Sequence, residues 1–221
     1  MWERVEIGRQ DSDTTLFLNL MYYGEMAAKL AVAAMVAAIG DDKDRSRYRA
    51  TATLVRADGI GDWARVLDDL VTGPPAQYLD DEARTEQREL TQKCGPDTWQ
   101  YKAIVELHAC QRALDPATEP LPPKVDGRRW FRDFAWLRNK TRGHGAPGTE
   151  QLRRLCPHIE ASARLFADNF SAFRREWAFL HRNLSGKYRV TKLGNSAEHF
   201  DTFKHGTPIS VPDGLYVAFR T

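Results

Sequence analysis

The feature that most limits what this chain can become is a run of large apolar side chains in its second half. Leu152, Leu155, Ile159, Ala163, Phe166, Phe170, Phe173, Trp177 and Leu180 recur every three or four residues. That recurrence lines them along one stripe of an α-helix, and such a stripe has to be buried. Pro157 falls inside the run and fits the first turn of a new helix after a break, where a residue needs no intrahelical N–H. The spacing predicts a helix from Pro157 to Asn183, about 40 Å long at 1.5 Å per residue.

Further helical patterns precede it. Ser12 or Asp13 can cap a helix that runs to Ile39 and stops at Gly40. Its second half is alanine-rich, and its most apolar stretch, Met26 to Ile39, is only 14 residues long and carries Lys29. A bilayer span needs ~20 apolar residues, so this reads as a central core helix in preference to an anchor or a dimer seam. Asp41–Asp44 can cap a second helix reaching about Arg56, and Asp62 starts a third with Trp63, Val66, Leu67 and Leu70 on one face. A polar helix is expected from about Leu79 to Lys93 and another from about Thr98 to Leu114. The proline-rich stretch 115–127 excludes regular structure. Arg128 to about Lys140 is helical again, with Trp130, Phe134 and Leu137 at i, i+4 and i+7. After the long helix, Tyr188–Leu193 and Gly214–Phe219 read as strands. The expected fold is mostly α, an up-and-down helical bundle with a short C-terminal β extension. Residues 1–184 form the helical domain. Residues 185–221 form the extension, expected to be the start of a further domain.

Composition adds two constraints. The 221 residues, 42% hydrophobic, suffice for one core. The net charge of +2 hides an asymmetry: residues 124–192 hold 16 Lys/Arg against 6 Asp/Glu, a balance of +10, and the other 152 residues hold 16 against 24, a balance of −8. A basic third on an acidic remainder is a surface for a polyanion. Three cysteines without a C-x-x-C pair argue against a disulfide framework or a zinc ribbon. With no secretory leader in MWERVEIGRQ, the chain reads as cytoplasmic.

Within the basic third, Leu137-Arg-Asn-Lys-Thr-Arg-Gly-His-Gly145 is the segment suited to chemistry. In an unbroken helix Arg138 and His144 would sit ~240° apart. Gly143 is a natural helix end, and beyond it the chain can turn His144 back beside Arg138. These residue types suit metal-independent cleavage of RNA. The ribose 2′-hydroxyl is the nucleophile, histidine moves its proton near neutral pH, and a guanidinium stabilises the phosphorane. Asn139 would steady a phosphate or the imidazole. Lys140, Arg142 and Arg132 read as general phosphate contacts.

Arg138-Asn139, four residues, then His144 resembles the Arg-Asn-x(4)-His motif of the HEPN superfamily. The resemblance covers about residues 12–184 by position and rests on three residues. It implies a helical bundle, a metal-independent endoribonuclease without a cofactor, RNA as partner, and a homodimer whose two motifs form one composite site. Many members act in bacterial toxin, abortive-infection or CRISPR-linked defence. It implies catalytic roles for Arg138, Asn139 and His144. The Tyr that some members carry two residues after the His is Ala146 here, a departure from that toxin subfamily. Other members do not cut RNA, so the competing expectation is a non-catalytic helical module, binding nucleic acid, nucleotide or a partner, within a larger defence or signalling protein. The remaining histidines read as structural, and His199, Asp201 and His205 lack a fourth ligand, so no metal is expected. Glu25 and Lys29, spaced i, i+4 on an apolar helix, read as an ion pair.

Overall fold

Ser12 starts the central helix, as its side chain accepts from the Thr15 N–H at 3.1 Å and so satisfies one orphan donor of the first turn. In the computed structural model, residues 2–40, 43–142, 147–182, 184, 188–192 and 213–218 are described. They form helices α1 (Trp2–Asp11), α2 (Asp13–Ala37), α3 (Ser46–Val55), α4 (Ile60–Thr72), α5 (Arg84–Thr91), α6 (Trp99–Leu114), α7 (Arg128–Arg142) and α8 (Thr149–Asn169). Strands β1 (Trp177–Arg182), β2 (Tyr188–Lys192) and β3 (Gly214–Val217) follow. The protein is a mostly-α bundle with a small C-terminal sheet, as its periodicities predict.

The core is built where α8 packs on α6 and α2, and where α7 packs on α6 and α4. An aromatic column runs through it: Trp130 stacks on Phe134 at 5.2 Å and on Phe166 at 4.1 Å, and Phe166 stacks on Phe170 at 5.4 Å. Because α2 extends through Leu16, Phe17, Leu20 and Met21, it is long and apolar enough by composition to cross a membrane. Half of its most apolar window, 50%, is nevertheless buried in the bundle. That length exceeds the stretch its alanine-rich half alone suggests.

Three expectations need correction. The long C-terminal helix is not one element: α8 begins at Thr149, carries Pro157 inside it, and ends at Asn169. Pro157 is exposed, so its missing N–H and its ring fall on the solvent side while Leu155, Cys156 and Ile159 pack inward. Beyond Asn169 two carboxylates of α5 take hold of the chain. Glu89 accepts from the Ser171 N–H at 3.0 Å and from its hydroxyl at 2.6 Å. Glu86, fully buried, accepts from Arg175 Nε at 2.6 Å and Nη2 at 3.0 Å. A 3-10 turn over Ser171–Arg174 results, and Trp177 and Leu180 enter a strand.

The second correction concerns the sheet. Between the two expected strands lies a third, β1, in a segment expected to be helical; each pairs antiparallel with it, in the order β2-β1-β3. The third concerns the polar helix expected over 79–93. It contracts to α5, preceded by 3-10 turns at Pro74–Tyr78 and Asp81–Ala83. The first helix, α1, had no strong pattern; Trp2 holds it, edge-on to Tyr23 at 5.1 Å with Arg164 over its face at 3.6 Å.

Candidate functional site

α7 turns Trp130, Phe131, Phe134 and Leu137 into the core. Three-four spacing then lines Arg128, Arg132, Trp136, Asn139 and Lys140 along its other side. Arg138 projects about 100° round the helix from Asn139, toward α2. There the Phe134 ring of α7 seats against Gly24 of α2, which has no side chain: a Cβ at that position would overlap Cε2 and Cζ of Phe134. The next residue, Glu25, meets α7 at Arg138. Glu25 Oε1 accepts from Arg138 Nε at 3.1 Å, with side-chain exposures of 15% and 31%.

The expected partnership of Glu25 with Lys29 thus gives way to a bond across the helix interface, and Lys29 lies 5.7 Å over the Trp63 ring. Arg138 Nη1 also donates to Asn139 Oδ1 at 3.4 Å. Arg138 and Asn139 thus lie side by side in the last turns of α7. Residues 143–146, His144 among them, and the side chain of Arg142 lie outside the described residues, as do His199, Asp201 and His205.

On the far side of Asn139 a recess of about 370 Å³ opens between α4 and α7, lined among others by Arg65, Asp68, Arg132, Trp136 and Asn139. Lys140 Nζ stands 5.8 Å over the half-buried Trp136 ring. Charges in and next to the recess pair off. Arg65 binds Asp62, Arg128 binds Asp68 at 2.6 Å and Asp126 at 3.1 Å, and Lys93 binds Asp126 at 3.0 Å. Burial works against the Asp126 carboxylate, but the hydrogen bonds from Lys93 and Arg128 outweigh it and hold its pKa below the usual range. Arg132 Nη2 reaches only 4.0 Å from that carboxylate, with 59% of its side chain exposed. Among the described residues these pairs leave Arg132 and Lys140 as the surplus positive charge on this face.

Sequence reasoning missed Trp136, Arg65 and the role of Glu25. A Trp at i+4 from Arg132 and i−4 from Lys140 was a legible signal for the first; the other two depend on helix packing.

A second groove, about 570 Å³, runs along α2 past Tyr22, Glu25, Met26 and Lys29 to Trp63 and Leu215. Elsewhere the titratable groups are structural. His108 shares a buried network with Gln111, which bonds the Asp133 carboxylate, itself held by Arg129 at 3.1 Å. Desolvation raises the pKa of Asp133. His158 meets Glu106 at 2.6 Å between α8 and α6. Burial pushes the Cys110 and Cys156 thiols up to about 12, which leaves them protonated and unreactive. Among the described residues no cluster of three His, Cys, Asp or Glu side chains could hold a metal.

Comparison with protein-family models, curated proteins and solved structures finds no match to the chain.

Proposed function

We propose that the protein is a metal-independent endoribonuclease of HEPN type that cuts single-stranded RNA at the C-terminal end of α7. The observation that carries this reading is the bond between Glu25 and Arg138. A long side chain at a helix end is ordinarily free to sample rotamers; here a carboxylate on a neighbouring helix fixes its Nε edge, and Asn139 lies beside Nη1. A guanidinium held before the reaction costs no reorganisation when charge develops on the phosphorane. In the proposed step His144 takes the 2′-hydroxyl proton, the 2′-oxygen bonds to phosphorus, and the bond to the leaving 5′-oxygen breaks. The products are a 2′,3′-cyclic phosphate and a 5′-hydroxyl, the latter receiving its proton from the partner subunit's His144 in a composite dimeric site. The setting is cytoplasmic, in bacterial defence or toxin-type growth control.

One observation favours a second reading, a non-catalytic helical module that binds RNA or a partner within a larger defence protein. Glu25 cancels the charge of Arg138, whereas Arg132 and Lys140 on the outer face keep theirs. Incubation of the wild type and His144→Ala with single-stranded RNA in excess EDTA separates the two. Cyclic-phosphate ends that vanish in the variant support the nuclease. Equal cutting by both removes His144 from the mechanism, and binding without cutting by either leaves the module.

A further inference from the structure

We propose that the recess between α4 and α7 holds one nucleotide of single-stranded RNA, its base against Trp136 and its phosphate on Arg132 and Lys140. The inference rests on the reading of RNA as the ligand, and it adds a place where the strand is gripped beside Arg138. Four observations carry it. The recess, about 370 Å³, falls in the size range of roughly 300–1,000 Å³ that small-molecule sites occupy. Trp136 lies in its wall and is not wholly consumed by the core, so it offers a π-face, and every base can stack on such a face whatever its sequence. The ammonium of Lys140 already stands over that ring, and Arg132, one turn earlier on α7, lines the same recess, so two cations lie near the stacking surface.

The charge balance supplies the fourth. Arg65 with Asp62, and Arg128 and Lys93 with Asp68 and Asp126, cancel one for one. Among the described residues, what is left over belongs to Lys140, which stands over the ring, and to Arg132, which lines the recess and reaches the already paired Asp126 only at 4.0 Å. An apolar ligand would gain nothing from that surplus, and a free carbohydrate would leave it unanswered; a phosphodiester carrying a base uses both features. Asn139 then connects the recess to the proposed chemistry. Its side chain lines the recess and its Oδ1 accepts from Arg138, so a strand seated on Trp136 passes its next phosphate toward Arg138.

The test uses the full chain and a fluorescent 2′-O-methyl RNA, which lacks the attacking hydroxyl and reports binding alone. A matching abasic backbone serves as the second probe. Trp136→Leu is expected to weaken the base-bearing strand roughly 5- to 150-fold, the range for losing one stacked base, and to leave the abasic strand unchanged. Trp136→Phe should retain most of the affinity. Arg132→Gln should weaken both strands and flatten the salt dependence by about 0.7 in the log–log slope, one single-strand phosphate contact. The proposal is overturned if the wild type binds neither strand, or if Trp136→Leu affects both equally or neither. Should Trp136→Leu fail to fold, Arg132→Gln, altered at an exposed side chain, decides: an unchanged slope overturns the proposal. RNA cleavage by a protein whose binding ignores Trp136 would refute the recess and spare the nuclease. Binding that needs Trp136 without any cleavage would do the reverse.

Discussion

Replacing Gly24 with alanine sets two effects of opposite sign against each other. In the interior of a helix, alanine is favoured over glycine by about 1 kcal/mol, so the substitution would ordinarily stabilise. At this position the new methyl would meet the ring of Phe134, which is 1% exposed and stacked on Trp130 with an interplanar angle of 6°. The ring cannot swing aside without disturbing Trp130 and, behind it, Phe166. Overpacking of a well-filled core costs about 1–3 kcal/mol, so the balance falls on destabilisation by up to ~2 kcal/mol. Urea unfolding followed by far-UV circular dichroism reads it as a lowered midpoint. Gly61→Ala in α4 is the control, because a Cβ there meets nothing within 4 Å, and it should be neutral or stabilising by some tenths of a kcal/mol. Adding Phe134→Leu should make Gly24→Ala less costly, with a coupling of at least about 0.5 kcal/mol. A Gly24→Ala protein more stable than the wild type, or strict additivity with Phe134→Leu, would refute the account of how α2 and α7 meet.

Two further outcomes follow from buried charge. Arg175→Met leaves the Glu86 carboxylate, 0% exposed, without its bidentate partner and should cost about 3–5 kcal/mol, while Glu86→Leu combined with Arg175→Met should recover most of it; a double variant as unstable as the single one rejects this. Asp133 titrates above the ordinary carboxylate range because it is desolvated. The native state therefore holds this proton more tightly than the unfolded chain, so its contribution to stability declines as pH rises from the ordinary carboxylate pKa through the raised native one. Asp133→Asn should make the slope of stability against pH more positive in that window, measured by urea midpoints at successive pH values, and an unaltered slope would count against burial as the cause.

The helical part was readable because its signals are local: Ser12 and Thr98 cap α2 and α6 as their types suggest, and the Trp130, Phe134, Leu137 stripe points inward as its spacing requires. The misreading of 170–182 has a specific origin. Phe170 and Trp177 are buried in a turn and a strand whose inward positions happen to continue the three-four spacing of α8. What actually ends the helix, Glu86 and Glu89, sits more than eighty residues earlier in the chain, beyond the reach of any local pattern. The candidate site divides in the same way. Arg138 and Asn139 stand out by motif, and Arg132 and Lys140 by charge. The grip of Glu25 on Arg138 depends on how α2 packs on α7, where the Phe134 ring fills the space beside Gly24, and no local pattern encodes that.

The Glu86–Arg175 and Glu89–Ser171 bonds also determine where the chain can be cut. A protein shortened to end at Asn169 would keep α1 to α8 and lose both partners of these α5 side chains, stranding a solvent-excluded negative charge at Glu86. The connection between α8 and the sheet is therefore not a removable appendage of the helices. The segment from Ser171 to Arg175 is the counter-ion and hydrogen-bond supply of the helical body, and a protease that nicks before it should unfold far more than the strands it frees.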